Sequence, residues 1–401
     1  MSDLDRQIIY LSYDGLTDPL GQSQILPYLI GLSQGGHKFI AVTFEKQRVY
    51  ESQRSVVEAQ CHNHQITWIP LRYHKWPPVL STIYDLWILR RRVKNIIKRN
   101  KISIIHCRSY ITSLVGFDMK RKKGVKFIFD MRGFWADERV EGGLWNLENP
   151  LYHLIYNFFK KKERQFLREA DQVICLTHNA KSEIESWSIG NPPIAVIPTC
   201  VDLDLFDRTK INEELRASLR EKLNIKAGDF VLLYLGSWGT WYKTTEMLHF
   251  FSRLKEVKPE AKFLLVTSDK INVENYVLKK DVIITQAPRS LVPLHISLAD
   301  VSVCFIKTSY SKKASSATKL GEVMALGVPI ITNEGWGDVS MIFGSGNKDH
   351  LMDDFSQQAF DKVISKLFSP GLSVLQIDMG NYALSKAIRS YTDIYARILD
   401  K

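Results

Sequence analysis

Between positions 130 and 139 the chain reads Asp130-Met131-Arg132-Gly133-Phe134-Trp135-Ala136-Asp137-Glu138-Arg139, placing carboxylates, guanidiniums and a Trp together directly after an apolar run. A surface loop seldom needs Phe and Trp beside such charge, although internal salt bridging is the competing reading. A carboxylate can orient a hydroxyl or steady a developing positive charge, and a guanidinium can clamp a phosphate through two parallel hydrogen bonds. Asp130 and Arg132 are therefore the candidate catalytic residues. His106 and Arg108, which close the preceding apolar run, join Trp135, Asp137 and Glu138 as further candidates of the same site.

Two further loops carry the chemistry of anion binding. Leu235-Gly236-Ser237-Trp238-Gly239-Thr240-Trp241-Tyr242-Lys243 joins a strand pattern to a helix pattern, with small residues for close approach and a compact cation at the helix start. Lys312-Lys313-Ala314-Ser315-Ser316-Ala317-Thr318-Lys319-Leu320-Gly321-Glu322 opens another helix, where hydroxyls, free backbone N–H groups and Lys319 suit a diphosphate. Glu322, about one turn in, can accept two hydrogen bonds from a ribose diol or simply complement the helix dipole. The expected donor-side set is Gly236, Ser237, Lys243, Ser316, Thr318, Lys319 and Glu322. Gly21 joins it from the polar run Asp18-Pro19-Leu20-Gly21-Gln22-Ser23-Gln24, ahead of a helix expected from about Ile25. A tight turn is the alternative there.

Two motifs are set aside. Gly31-Leu32-Ser33-Gln34-Gly35-Gly36-His37-Lys38 nearly has phosphate-loop spacing, but it ends a helix pattern and has His where a Lys is required, so a helix C-cap is expected. Asp3-Leu4-Asp5 and Asp202-Leu203-Asp204 have a metal-binding spacing but lie before the first strand and in the junction between halves. No metal site is expected.

These loops hang on strands alternating with helical periods, the pattern of parallel α/β sheets. Strands are expected at Gln7–Tyr13, Lys38–Phe44, Gln65–Pro70, Ile102–His106, Lys126–Asp130, Gln172–Leu176 and Ile194–Pro198. The series restarts at Phe230–Leu235, Lys262–Thr267, Val282–Thr285, Val301–Ile306 and Pro329–Thr332. The fold class is α/β, with two doubly wound Rossmann-like domains. They span residues 1–203 and 204–401, with the last helix able to cross back to the first. No G-x-G-x-x-G follows a strand, which removes the main support for a dinucleotide dehydrogenase.

The 401 residues exceed one usual core, and 45% hydrophobic with 24% charged residues fits a globular protein. No long apolar run or signal-like start occurs, so a cytoplasmic protein is expected. Five scattered cysteines give no disulfide framework. The net charge is +11, yet the segment 71–126 alone holds 15 basic residues against Asp85 and Asp118. That concentration points to an anionic partner. Trp76, Ile83, Tyr84, Trp87 and Leu89 stand beside Arg90, Arg91 and Arg92, and Phe158 and Phe159 beside Lys160, Lys161 and Lys162, so docking on the inner face of an anionic membrane is expected. The competing reading is an ordinary amphipathic helix with solvated arginines. Nucleic acid is disfavoured, because no recognised binding module accompanies the charge.

The Glu322 to Ile331 run, the Ile197 to Phe206 junction, the Leu235-Gly236 loop with Lys243 and the Asp18-Pro19-Leu20-Gly21-Gln22-Ser23-Gln24 opening together resemble retaining glycosyltransferases of the GT-B fold, family 4 in particular. The resemblance implies that residues 1–203 are an acceptor-binding domain and residues 204–401 a nucleotide-sugar-binding domain facing an interdomain cleft, with His106, Arg108, Trp135, Asp137 and Glu138 on the acceptor side. It implies metal-independent transfer of a sugar, with retention, from a nucleotide diphosphate sugar to a hydroxyl of a glycan or lipid-linked acceptor. It implies no cofactor beyond the nucleotide sugar as co-substrate, and a role in polysaccharide or glycolipid synthesis. Gly21 and Lys243 would face the donor diphosphate, Glu322 the ribose, and Ser316, Thr318 and Lys319 the phosphates or sugar. The chain departs from the family pattern with Ala314 in place of an acid, Ser237 in place of an Arg and Asp130 in place of a His. Those departures leave two alternatives, a catalytically weak binding subunit and a nucleotide-sugar epimerase.

Overall fold

Runs of Ile, Val, Leu and Phe, apolar on both faces, become the buried strands of two parallel sheets. In a computed structural model the protein is described over residues 7–190, 192–274, 276–368 and 377–400. The chain divides into two compact units, one of Met1–Pro198 with Leu384–Lys401, the other of Thr199–Ala383.

The first unit has strands β1 (Gln7–Ser12), β2 (Lys38–Glu45), β3 (Thr67–Arg72), β4 (Ile102–Arg108), β5 (Lys126–Asp130), β6 (Gln172–Cys175) and β7 (Ile194–Val196). They pair in the order β3-β2-β1-β4-β5-β6-β7. Its helices are α1 (Pro19–Gln24), α2 (Leu26–Gln34), α3 (Gln47–Asn63), α4 (Leu80–Arg99), α5 (Ser109–Lys123), α6 (Trp135–Glu141), α7 (Pro150–Glu169) and α8 (His178–Ser186). Gly35 caps α2, its N–H donating to the Gly31 carbonyl at 3.2 Å, so the phosphate-loop look-alike is a helix end.

The second unit contains α9 (Glu213–Lys222), β8 (Val231–Leu235), α10 (Thr244–Val257), β9 (Lys262–Val266), β10 (Val282–Thr285), α11 (Val292–Ile296), β11 (Val301–Cys304), α12 (Thr318–Ala325), β12 (Ile330–Asn333), α13 (Val339–Phe343), β13 (Leu351–Met352) and α14 (Gln357–Leu367). Its sheet runs β10-β9-β8-β11-β12-β13. Alternate residues of β8 feed two cores, Val231, Leu233 and Leu235 on one face and Leu232 and Tyr234 on the other. The final helix, α15 (Leu384–Leu399), packs against α2 in the first unit, where Ile388 lies so close that Gly31 has no room for a side chain.

The expected fold class of two doubly wound α/β domains is the observed one. Three local expectations need correction. β4 continues past the expected end at His106, so Cys107 and Arg108 are strand residues as well. A short helix already starts at Pro19, so Gly21 is helical and buried, and a side-chain carbon there would stand 2.0 Å from the Gly15 carbonyl oxygen. Packing against that backbone accounts for this glycine without a ligand. β13, two residues long, was not foreseen.

Candidate functional site

The candidate residues fall into two clusters, one in each unit. In the second unit the turn after β8 brings Gly236, at φ +101°, over the first turn of α12. Lys319 enters that space almost fully buried, its Nζ 3.0 Å from the Tyr234 hydroxyl and 3.7 Å and 4.3 Å from the ring centroids of Tyr242 and Tyr234. A cation over aromatic faces is attracted by the ring quadrupole. Burial nevertheless lowers the Lys319 pKa to about 8. The Tyr234 hydroxyl also donates to the Ser237 carbonyl, tying the turn to its own strand. Gly236, Ser237 and Lys319 are thus brought together.

Glu322, one turn further along α12, is buried and accepts a charge-assisted hydrogen bond from Arg289, whose guanidinium lies over the Phe206 ring at 4.6 Å. Ser316 meets Thr199, hydroxyl to hydroxyl at 2.8 Å, and its carbonyl accepts from the Thr199 hydroxyl at 3.1 Å. Thr318 is the first residue of α12. Lys243 stands at the N-cap of α10, where its ammonium donates to Glu246 and lies 4.3 Å from the Phe355 ring centroid. The unit therefore gathers Gly236, Ser237 and Lys319 at the first turn of α12, while Lys243 is engaged by a carboxylate on its own helix.

In the first unit, Asp130 ends β5 fully buried. Its Oδ2 lies 3.4 Å from His106 Nε2, and its Oδ1, 3.8 Å from Arg132 Nη1, has no hydrogen-bond partner among the described residues. The other ring nitrogen of His106 meets the Tyr395 hydroxyl at 2.7 Å. Gln24 holds the two guanidiniums together, its Oε1 accepting from Arg132 at 2.8 Å and Arg108 at 3.1 Å. Burial raises the Asp130 carboxyl, but the charge of Arg132, the hydrogen bond and charge of His106 and the charge of Arg108 outweigh it and hold the acid below its usual range. Arg132 itself is held at φ +58°, a strained conformation for a residue with a side chain. A small cavity beside this group is lined by Tyr10, Gln24, Tyr28, His106, Arg108 and Tyr391.

Asp137 is not in this cluster. It is committed to α7, accepting from the Tyr156 hydroxyl and from Lys160, both at 2.8 Å. Trp135 packs among Tyr110, Trp145 and Phe159 with Arg139 over its face. Glu138 lies half-buried on the same helix. Internal pairing thus explains the Asp137 part of that loop, and the Asp130–Arg132 part remains as the candidate site. Asp202 and Asp204 form a turn, Asp202 Oδ1 accepting the Asp204 N–H at 3.0 Å. The Asp3-Leu4-Asp5 motif lies outside the described residues.

Sequence reasoning missed Arg289, Tyr234, Tyr242, Thr199 and Gln24. Gln24 and Tyr242 carried a signal, as members of the polar run after the first strand and of the loop that ends at Lys243.

Residues 29–205 match the model of Glycosyltransferase Family 4. The alpha-monoglucosyldiacylglycerol synthase of Streptococcus pneumoniae (strain ATCC BAA-255 / R6) is 23% identical over 248 residues, 59% of this chain and 53% of that protein, so the match spans about half the relative's length. Among solved structures, a glycosyltransferase from Rickettsia africae ESF-5 superposes with a TM-score of 0.69 at 15% identity, covering 98% of this chain and 99% of that one. The HepE protein of Anabaena, solved with UDP and glucose, gives a TM-score of 0.70 at 12% identity over 98% and 99%.

Proposed function

From the GT-B fold and the resemblance to glycosyltransferase family 4 as premise, we propose that this protein is a glycosyltransferase that moves a sugar, with retention and without a metal, from a nucleoside diphosphate sugar to a hydroxyl of a glycolipid or polysaccharide acceptor. The observation that carries the reading is Lys319, buried against two tyrosine rings beneath a glycine turn in the first turn of α12. A buried lysine with a lowered pKa gains most from an incoming anion, which restores its full charge.

The chemical demand is charge control. As the bond from sugar to diphosphate breaks, negative charge grows on the leaving phosphate and the sugar becomes oxocarbenium-like. A fixed cation and fixed N–H groups in a dry site stabilise that charge at no reorganisation cost, and single donors of this kind contribute about 3 kcal/mol. In this reading Gly236, Ser237, Ser316, Thr318, Lys319 and Lys243 serve the diphosphate, and Glu322 accepts from the ribose once Arg289 shares it. The departing phosphate oxygen takes the acceptor proton. Asp130, kept ionised by Arg132 and Arg108, orients the acceptor or steadies positive charge on the sugar.

Support for a lipid-linked acceptor comes from the pneumococcal relative, named for a glucosyldiacylglycerol product. Five scattered, buried cysteines suit the reducing cytoplasm, so the working position in this reading is the inner face of a membrane. Incubation with a panel of nucleoside diphosphate sugars, with and without glycolipid, tests the proposal. Acceptor-dependent release of nucleoside diphosphate from at least one donor is expected; silence with every donor would remove it.

A further inference from the structure

Two guanidiniums of the first unit share one uncharged oxygen. Arg108 ends β4, Arg132 stands two residues past the end of β5, and those two strands are paired. Gln24 Oε1 accepts from Arg132 Nη2 at 2.8 Å and from Arg108 Nη2 at 3.1 Å. A guanidinium makes its strongest hydrogen bonds to anionic oxygens, in forked pairs, so one amide oxygen is a weak partner for two of them. The backbone lies in the left-handed region at Arg132, φ +58°, and at Ser109, φ +67°, next to Arg108. Strain of that kind persists only where the surrounding fold imposes it, and here it stands at the base of both arms.

The charge in this group does not balance. Among the described residues Asp130 is the one carboxylate within ion-pair distance of either guanidinium, 3.8 Å from Arg132 Nη1. Arg108 is 4% exposed and Asp130 1%. Tyr10, Tyr28 and Tyr391 face Arg132 as well. Burial pushes the Tyr10 hydroxyl to about 12 and the Tyr391 hydroxyl well up from its ordinary value, so neither adds a negative charge. His106, beside Asp130, supplies none either. Two fixed cations therefore stand against one anion, and Arg132 Nε is buried without a hydrogen-bond partner among the described residues. An unbalanced buried charge is costly, and one further negative group would balance it. The cavity lined by Tyr10, Gln24, His106, Arg108 and Tyr391 adjoins the pair.

We propose that Arg108 and Arg132 bind one oxyanion of the acceptor, a phosphoryl or carboxylate group, and that the Gln24 amide holds its place until it arrives. Gln24 is suited to giving way, being half-buried and the last residue of the short helix α1. With Asp130 already balancing one guanidinium, the surplus matches a single negative charge. The inference rests on the reading of this unit as the acceptor side, and it narrows the acceptor to an anionic one.

Thermal melting of the full chain reads the site without turnover. Lys319→Met serves as the background, so that anions do not act through the lysine of the second unit. Inorganic phosphate, and separately glucuronate, is titrated against chloride at equal ionic strength. Stabilisation by at least one is expected, and the stronger of the two tells a phosphoryl from a carboxylate source. Gln24→Glu places the missing negative charge in the chain itself, so it should raise the melting temperature and weaken the response to either anion at least about tenfold. Arg132→Gln should weaken that response as much. No response to either anion, a response unchanged by Gln24→Glu, or a lower melting temperature in that variant overturns the proposal. In turnover, an acceptor bearing the preferred anion should exceed its uncharged counterpart in kcat/KM at least about tenfold. Equal transfer to both acceptors overturns the anion site and leaves the transferase reading intact. An anion response that Gln24→Glu removes, with silence from every donor, keeps the oxyanion site and removes the transferase reading.

Discussion

A side-chain carbon on Gly236 would stand 3.0 Å from Nζ and 3.1 Å from Cε of Lys319, so any larger residue there makes the lysine tip give way. The backbone there, at φ +101°, lies where only glycine is comfortable. Gly236→Ala is expected to cost about 1–3 kcal/mol and to displace Lys319 from the tyrosine rings. Thermal melting and calorimetric titration with a nucleoside diphosphate check this. An alanine variant with native stability and native affinity would show that the approach is not needed.

Lys319 itself should carry a stability penalty in exchange for anion binding. Its pKa falls from 10.5 to about 8 on folding, so the unfolded chain holds this proton more tightly. The sign follows: the penalty is complete below about pH 8, shrinks as the pH rises, and is absent above 10.5. It amounts to about 3 kcal/mol at most. Lys319→Met should therefore melt at or above the native temperature at pH 7, with the native protein catching up at higher pH, and should lose at least about tenfold in turnover. In the native protein, affinity for nucleoside diphosphate should decline as the pH rises through about 8. A clearly lower melting point for the variant at pH 7 would contradict the desolvation argument.

Glu322 is not a free ribose acceptor waiting on a helix; it is paired with Arg289, whose side chain is 26% exposed. Glu322→Gln should then cost about 1–2 kcal/mol, less than for a fully buried pair because the guanidinium is partly solvated. It should also weaken donor binding. The ribose role is read separately, by comparing nucleotides with ribose and deoxyribose on the native protein. Equal affinities would leave Glu322 with a structural task only.

The strands were legible because a parallel sheet buries both faces, so Ile, Val and Phe runs mark them directly. β13 was not, since Leu351 and Met352 alone carry no periodicity. Lys319 was legible from its place at a helix start, and its cage was not: Tyr234 reads as one more apolar strand residue, and Tyr242 as part of an aromatic loop. Arg289 lies 33 positions before Glu322, and Gln24 lies 108 before Arg132, separations that only the tertiary fold closes. Asp137 misled for the opposite reason. Its neighbours in sequence suggested one charged site, whereas α6 turns it toward Tyr156 and Lys160 of α7.

Asp130 is the charge that lets Arg108, Arg132 and His106 share one buried volume. Its carboxyl is held below the usual 3.8, so the stabilisation it provides is present above that pH and is lost as the pH falls through the lower, folded-state value. Asp130→Asn keeps the shape but leaves two guanidiniums joined only through the Gln24 oxygen. Removing one partner of a buried pair costs about 3–5 kcal/mol, so a marked fall in stability is expected from pH 5 to 8, with native and variant converging in strong acid. Transfer to acceptor should fall at least about tenfold, while nucleoside diphosphate affinity stays native, because Lys319 and α12 belong to the other unit. Calorimetric titration separates the two effects: if Asp130→Asn weakens nucleoside diphosphate binding as much as it slows transfer, Asp130 serves the donor, and its assignment to the acceptor side is wrong.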